Sequence, residues 1–358
     1  MIRRLHRDRR PTGPPFRYVP AHLLAGEAHV IVDGAQRPGT AYTLSHWPGT
    51  PTPPAFAADL SAEIARNALA HRHAIPAEPR VASIDHYDAD GLVALALLVL
   101  DGLDAEHGPL LVEAARVGDF DVVTDHSAAL VAFALNALDD SERGSGCTVA
   151  PSARPADAFA YCGVLAQRAL DVLFDLAAHP EGFESLWGDE FAAYESSVRA
   201  LTEGGASIEE FADQDLAVVR VDPQFDTAPT SWEGASLHRA AVHSATDRLR
   251  VATVAGGAME LRYRYESWVR LATRRPRLRV DLDRLAFDLT AAEKHAAQWT
   301  FDGARSITGA LHLVGDDATS TLDPEQFVEM VRGQLHTLDQ GPPAWDPYSD
   351  RSLSSPAE

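Results

Sequence analysis

The stretch from Val81 to Leu100 constrains this chain more than any other. Val81-Ala82-Ser83-Ile84 is a short β-prone run, and Leu92 to Leu100 carries no polar side chain. A strand that turns directly into a helix apolar on every face places both elements inside a layered α/β structure. Between them lies Asp85-His86-Tyr87-Asp88-Ala89-Asp90-Gly91. Crowding these carboxylates at a buried strand end costs several kcal/mol per unpaired ion unless a cation compensates. His86, Asp88 and Asp90 are therefore candidate metal ligands. The same residues also fit an acidic helix cap, with Asp90 as N-cap and Gly91 in a tight turn.

Other strands stop in the same way. His29-Val30-Ile31-Val32 ends in Asp33-Gly34, and Ala41-Tyr42-Thr43-Leu44 ends in Ser45-His46-Trp47-Pro48-Gly49. Asp33 and His46 join the candidates, although Asp33-Gly34 also fits a plain turn and Trp47 an anchor for a loop. Thr50 to Pro54 is extended by its proline content, and Asp59 to Glu63 opens an amphipathic helix reaching about Ala70, capped by Asp59 or Ser61. Leu110 to Ala115 reads as a further strand ending in Arg116-Val117-Gly118-Asp119-Phe120-Asp121, with a helix from about Ser127 to Leu138. In a parallel sheet such strand ends meet along one edge whatever the connectivity.

His86-Tyr87-Asp88-Ala89-Asp90-Gly91, after a strand and before an apolar helix, resembles the first motif of the DHH phosphoesterase superfamily, which includes the RecJ-like nucleases. Val32-Asp33-Gly34, Leu44-Ser45-His46-Trp47-Pro48 and Asp59-Leu60-Ser61-Ala62 resemble degraded versions of its later motifs. Gly118-Asp119-Phe120-Asp121 resembles its fourth. The resemblance implies a mostly parallel sheet flanked by helices and a pair of Mn²⁺ ions, with Mg²⁺ as a substitute. Their ligands would be Asp33, His46, His86, Asp88, Asp90 and Asp119, with Asp88, Asp90 and His46 catalytic. The chain departs from the family in motif order, in Ser45, which replaces an acid, and in Trp47, which replaces a phosphate-contacting histidine. The chain as a whole also resembles an uncharacterised bacterial family of unknown function, which implies no activity.

With 358 residues, 46% apolar and 23% charged, the chain has the composition of a globular protein of two domains. Its net charge of −21 opposes sequence-independent binding to long nucleic acid. Lys294 is the only lysine, so phosphate recognition falls to arginine forks. The basic start, Met1 to Arg10, lacks the apolar core of a signal peptide, and no run is long enough to span a membrane. Cys147 and Cys162 are too few and too unpatterned for a disulfide framework or a zinc site, and Cys162 reads as a buried apolar residue. A cytoplasmic protein is expected.

The expected organisation is a flexible arm over 1–20, a metal-binding domain over 21–214 with a helical segment at 157–210, a smaller α/β substrate domain over 215–338, and a disordered tail over 339–358. The last domain contains a hairpin through Ala255-Gly256-Gly257 and the alternating run Arg262-Tyr263-Arg264-Tyr265. Arg262 and Arg264, with Trp47, are the candidate substrate contacts, against a solvated face as the simpler reading. The expected function is a metal-dependent phosphoesterase acting by two-metal hydrolysis on a small phosphodiester or a short oligonucleotide end. The alternative is a non-catalytic ligand-binding or regulatory protein on a decayed DHH-like scaffold.

Overall fold

Four short strands, three of them ending near a candidate ligand, form the first sheet. In the computed structural model, which describes residues 16–71, 78–139, 154–222, 237–314 and 319–349, these are β1 (Arg17–Tyr18), β2 (His29–Val32), β3 (Thr40–Leu44) and β4 (Val81–Ser83). All are parallel, in the order β1-β4-β2-β3. Every residue of β2 is buried, which suits a parallel strand covered on both faces and accounts for its unbroken apolar run. Because β2 lies between β4 and β3, the chain leaving all three strands emerges at one edge.

Helix α1 (Ser61–Ala70) follows β3, and α2 (Ala89–Val99) follows β4. Residues 89–98 of α2 are all buried, as a helix apolar on every face requires. Four more helices complete this half: α3 (Leu103–Phe120), α4 (His126–Ala137), α5 (Ala158–Ala178) and α6 (Glu184–Glu203). The segment Leu110 to Ala115 is thus not a strand but the middle of α3. Its buried residues Leu111, Val112, Ala114, Ala115 and Val117 follow helical spacing. Asp119 accordingly sits in the last turn of a helix.

The second sheet has six strands and is mixed. It comprises β5 (Ala206–Phe211), β6 (Leu216–Val221), β7 (Arg250–Ala255), β8 (Ala258–Tyr263), β9 (Gln298–Phe301) and β10 (Ala310–Val314), in the order β5-β6-β7-β8-β10-β9. Only β6 and β7 are parallel. Helices α7 (Arg239–Ala245), α8 (Asp283–Ala292) and α9 (Pro324–Leu338) belong to this half. The expected hairpin is β7–β8. Strand β5 begins at Ala206, inside the segment read as helical, because the left-handed Gly204 ends α6 and lets the chain turn into the sheet.

The halves share one apolar core, running from Phe16 and Leu92 to Leu261 and Trp345. Residues 16–20 are therefore not all arm: Phe16 is buried and β1 pairs with β4. Nor is 339–349 a free tail. Trp345 stacks on Trp268 with ring centroids 5.8 Å apart, donates its indole N–H to the Trp268 carbonyl, and bridges Arg279. One large aromatic ring outweighs the polar composition around it. Residues 1–15 and 350–358, like Cys147, lie outside the described residues, whereas Cys162 is buried as expected. Among the described residues no helix is long and apolar enough to cross a membrane. Trp345→Ala is expected to cost about 3–5 kcal/mol of stability, read as a lower urea midpoint with an unchanged denaturant slope.

Candidate metal centre

Three strand ends and two helices deliver the candidate ligands to one place. Asp33 follows β2 in a left-handed conformation, φ 43°, which aspartate tolerates better than most residues. Its two oxygens face different histidines: Oδ1 lies 3.4 Å from His46 Nε2 and Oδ2 lies 3.3 Å from His86 Nε2. Ser61 Oγ donates to Asp33 Oδ1 at 2.7 Å, while Oδ2 is buried without a hydrogen-bond partner. Asp90, in the first turn of α2, accepts the N–H groups of Ser61 and Ala62 at 2.7 and 2.8 Å. These are free donors of the first turn of α1, so a carboxylate there satisfies them and meets the positive end of the helix dipole. The cap of α2 itself is Asp88, not Asp90: its Oδ1 accepts from Gly91 N at 2.7 Å.

His46 shows why a cation fits. Its Nδ1 lies 2.6 Å from the Asp59 carbonyl, which can only accept, so Nδ1 carries a proton and Nε2 is the nitrogen that can offer a lone pair to a cation. Nε2 faces Asp33 and Asp119, each at 3.4 Å, and Asp90 at 4.0 Å. Asp119 Oδ2 is likewise buried and unpaired. Four acceptors converging on a buried point lack only a positive charge. The ligand atoms of Asp33, His46 and Asp90 lie within 4.8 Å of one another, and so do those of Asp33, His86 and Asp88. Asp33 belongs to both groups. Oxygen-rich donors with imidazole suit manganese or magnesium better than thiolate-seeking metals.

Two glycines permit this crowding. A Cβ at Gly91 would stand 3.3 Å from the Asp33 Cβ, and one at Gly118 would collide with the Ala89 Cβ at 2.4 Å. Gly118 thereby lets α3 approach the start of α2 closely enough to bring Asp119 to His46.

The protons record the same crowding. Burial, reinforced by Asp33, pushes Asp90 well above the usual carboxylate range, and burial with Asp90, Asp88 and Asp33 does the same to Asp119. Burial opposes charge on His86, yet Asp88, Asp33 and Asp85 outweigh it and raise this histidine well above its ordinary value. Asp88 is the exception: despite burial, His86 and the Gly91 N–H hold it low.

The C-terminal half closes over this cluster. A cavity of about 370 Å³ is lined by Trp47, His86, Asp88 and Asp119 on one side and by Arg239, Arg262, Tyr265 and Ile307 on the other. The Trp47 indole lies 5.1 Å from the His86 ring and meets Trp268 edge-on. Arg262 holds Glu260 through Nε at 2.7 Å and lines the cavity. Arg264 does not act with it. Strand β8 ends at Tyr263, so the alternation breaks, and Arg264 turns inward, 3% exposed. All its guanidinium nitrogens are committed, to Glu266 and to the carbonyls of His243, Thr246 and Phe120. It joins the halves and has no donor left for a ligand.

Residues 14–346 match the model of a family of unknown function, DUF6687. The chain belongs to this family. No curated protein and no solved structure matches it. The DUF6687 match spans both sheets and every candidate ligand, in keeping with the expected likeness to an uncharacterised family, and the family carries no assigned activity with it. Sequence reasoning about this DUF6687 chain passed over Asp85, which faces His86 Nδ1 at 3.0 Å, and Tyr265, whose hydroxyl lies 3.4 Å from His46 Nε2. Burial, then Asp119, Asp33, Asp88 and Asp90, push this phenol well above its ordinary value. Tyr265 closes the run in which the arginines drew attention, and nothing in the spacing singles it out.

The protein is expected to take up Mn²⁺ in calorimetry and in metal analysis after dialysis. The double variant Asp88→Ala, Asp90→Ala should abolish uptake, and Asp33→Ala alone should weaken both equivalents because it serves both groups. A second expectation concerns the metal-free protein. There Asp90, Asp119 and His86 keep their protons to higher pH than in the unfolded chain, so the folded state binds more protons and loses stability as pH rises through those raised values. Asp88 has the opposite sign but acts only below the ordinary carboxylate range. In chelator the melting temperature should therefore fall as pH rises above the ordinary carboxylate range, and Mn²⁺ should flatten that fall.

Proposed function

We propose that this protein is a metal-dependent phosphoesterase, using two Mn²⁺ ions on a small phosphodiester or the end of a short oligonucleotide. The observation that carries the reading is Asp33, one carboxylate with an oxygen beside each of two histidines and a place in both ligand groups. Two ions held in this way would supply an activated water and offset the charge of a phosphoryl group. His46 and Asp90 hold one group and His86 and Asp88 the other. The Asp59 carbonyl keeps His46 in the tautomer that offers Nε2, the kind of support on which ligand basicity depends. Asp119 adds an unpaired oxygen at the first group. Arg262 supplies positive charge from the opposite wall, and Trp47 a flat apolar face. A cavity of about 370 Å³ suits a small ligand, and the net charge of −21 disfavours long nucleic acid.

The second reading, a ligand-binding or regulatory protein on a decayed DHH-like scaffold, draws its support from Trp47, which stands beside His86 where a phosphate-contacting histidine would be expected. Hydrolysis of bis(4-nitrophenyl) phosphate with and without Mn²⁺ separates the two. The enzyme reading expects metal-dependent turnover that drops by about a hundredfold or more in His46→Ala. Trp47→Ala should raise KM with little change in kcat, as when binding shared by ground and transition states is lost. Manganese binding without turnover on mono- or diesters, together with a nucleotide-induced rise in melting temperature, would favour the regulatory reading instead.

A further inference from the structure

We infer that Tyr265 is a substrate-contacting hydrogen-bond donor which the C-terminal half adds to the candidate metal centre; the inference rests on the phosphoesterase reading above. Tyr265 opens the short turn Tyr265–Ser267 after β8. Its ring is fixed from several sides: stacked on Trp268 at 5.8 Å and 17°, 6.3 Å from Phe120, and edge-on to His46 at 5.7 Å. None of these contacts uses the hydroxyl. Tyr265 lines the cavity, and its hydroxyl lies 3.4 Å from His46 Nε2, a long and weak hydrogen bond to the nitrogen that a cation would occupy.

Within the ligand cluster itself donors are few: ionised around a cation, Asp33, Asp88, Asp90 and Asp119 accept only, and Ser61 Oγ and the N–H groups of Ser61, Ala62 and Gly91 are already spent on these carboxylates. Beyond the cluster, the cavity wall offers the guanidinium of Arg262 and the indole of Trp47, whose N–H has no hydrogen-bond partner. Once His46 Nε2 serves as a ligand, the phenol O–H has lost its acceptor, and a buried donor left unmade is costly. An anionic oxygen entering the cavity restores it. Tyr265 is thus held ready by packing that does not depend on the group it offers, which is how a preorganised donor differs from a side chain that must be ordered at the moment of binding.

The test compares Tyr265→Phe with wild type in the full-length protein, using Mn²⁺ and orthovanadate as probes. The variant keeps the ring, so its melting temperature should match wild type. Calorimetry should give an unchanged Mn²⁺ stoichiometry and affinity, while orthovanadate binding to the manganese-loaded protein weakens by about ten- to a hundredfold, as for a lost hydrogen bond to a charged group. Turnover of the aryl diester should fall in parallel. Unchanged vanadate binding overturns the inference, and so does a parallel loss of Mn²⁺ affinity, which makes Tyr265 a ligand and not a donor. A wild type that binds no Mn²⁺ overturns the phosphoesterase reading as well, an outcome visible before any variant is compared.

Discussion

The carboxylate of Asp90 is the contact on which the rest of the site depends. Buried in the first turn of α2, it accepts two backbone N–H groups from the first turn of α1. This single residue satisfies donors that α1 would otherwise leave bare, fixes one helix start against the other, and so places Ser61 Oγ on Asp33. The neighbouring strand ends then have no freedom to spread their charges. Asp33, His46 and Asp119 are held close to Asp90 by backbone geometry, whatever their mutual repulsion.

An arrangement of this kind destabilises the fold locally, and the surrounding structure offsets the cost. The same packing that buries the carboxylates raises the proton affinity of Asp90 and Asp119, so each can shed part of its charge when no cation is near. The segment after β8 braces the cluster from outside. Arg270 N donates to the His46 carbonyl at 2.9 Å, Ala272 N and Thr273 N donate to Asp59 Oδ1 at 2.7 and 2.9 Å, and the Thr273 hydroxyl donates to Asp59 Oδ2. Asp59 therefore holds the C-terminal half with its side chain while its carbonyl orients His46. Arg264 adds a buried tie to Phe120, next to Asp119. The centre and the contact between the halves are one construction.

This explains the different fates of two arginines that the sequence presents alike. Both line the cavity, but Arg262 lies within β8 and spends its Nε on Glu260, whereas Arg264 lies one residue beyond the strand, is buried, and has its guanidinium drawn into the join between the halves. Period-2 alternation holds only while the ladder lasts. The same limit applies to α3: a run of Leu, Val and Ala around residues 110–115 satisfies either a buried strand or a buried helix, and only the packing of Gly118 on Ala89 makes the helical choice consequential by carrying Asp119 inward.

What the sequence determined by itself was local. The apolar run after Gly91 dictated a buried helix, the β-branched run before Asp33 a buried parallel strand, and the acidic turn between β4 and α2 a cluster of charges in need of compensation, because hydrophobic periodicity and turn chemistry act over a few residues. Asp33, His46, His86, Asp88 and Asp90 were legible as candidates on those grounds, and Asp119 was legible as a candidate though not as part of a helix. The tertiary structure alone decided that Asp33 faces two histidines, that Asp90 caps a helix 28 residues earlier in the chain, and that Tyr265 meets His46 across 219 residues. Those contacts follow from strand order and from the docking of one half on the other. Both are set by the sum of many weak packing terms spread over the whole chain, and no short stretch of sequence carries them.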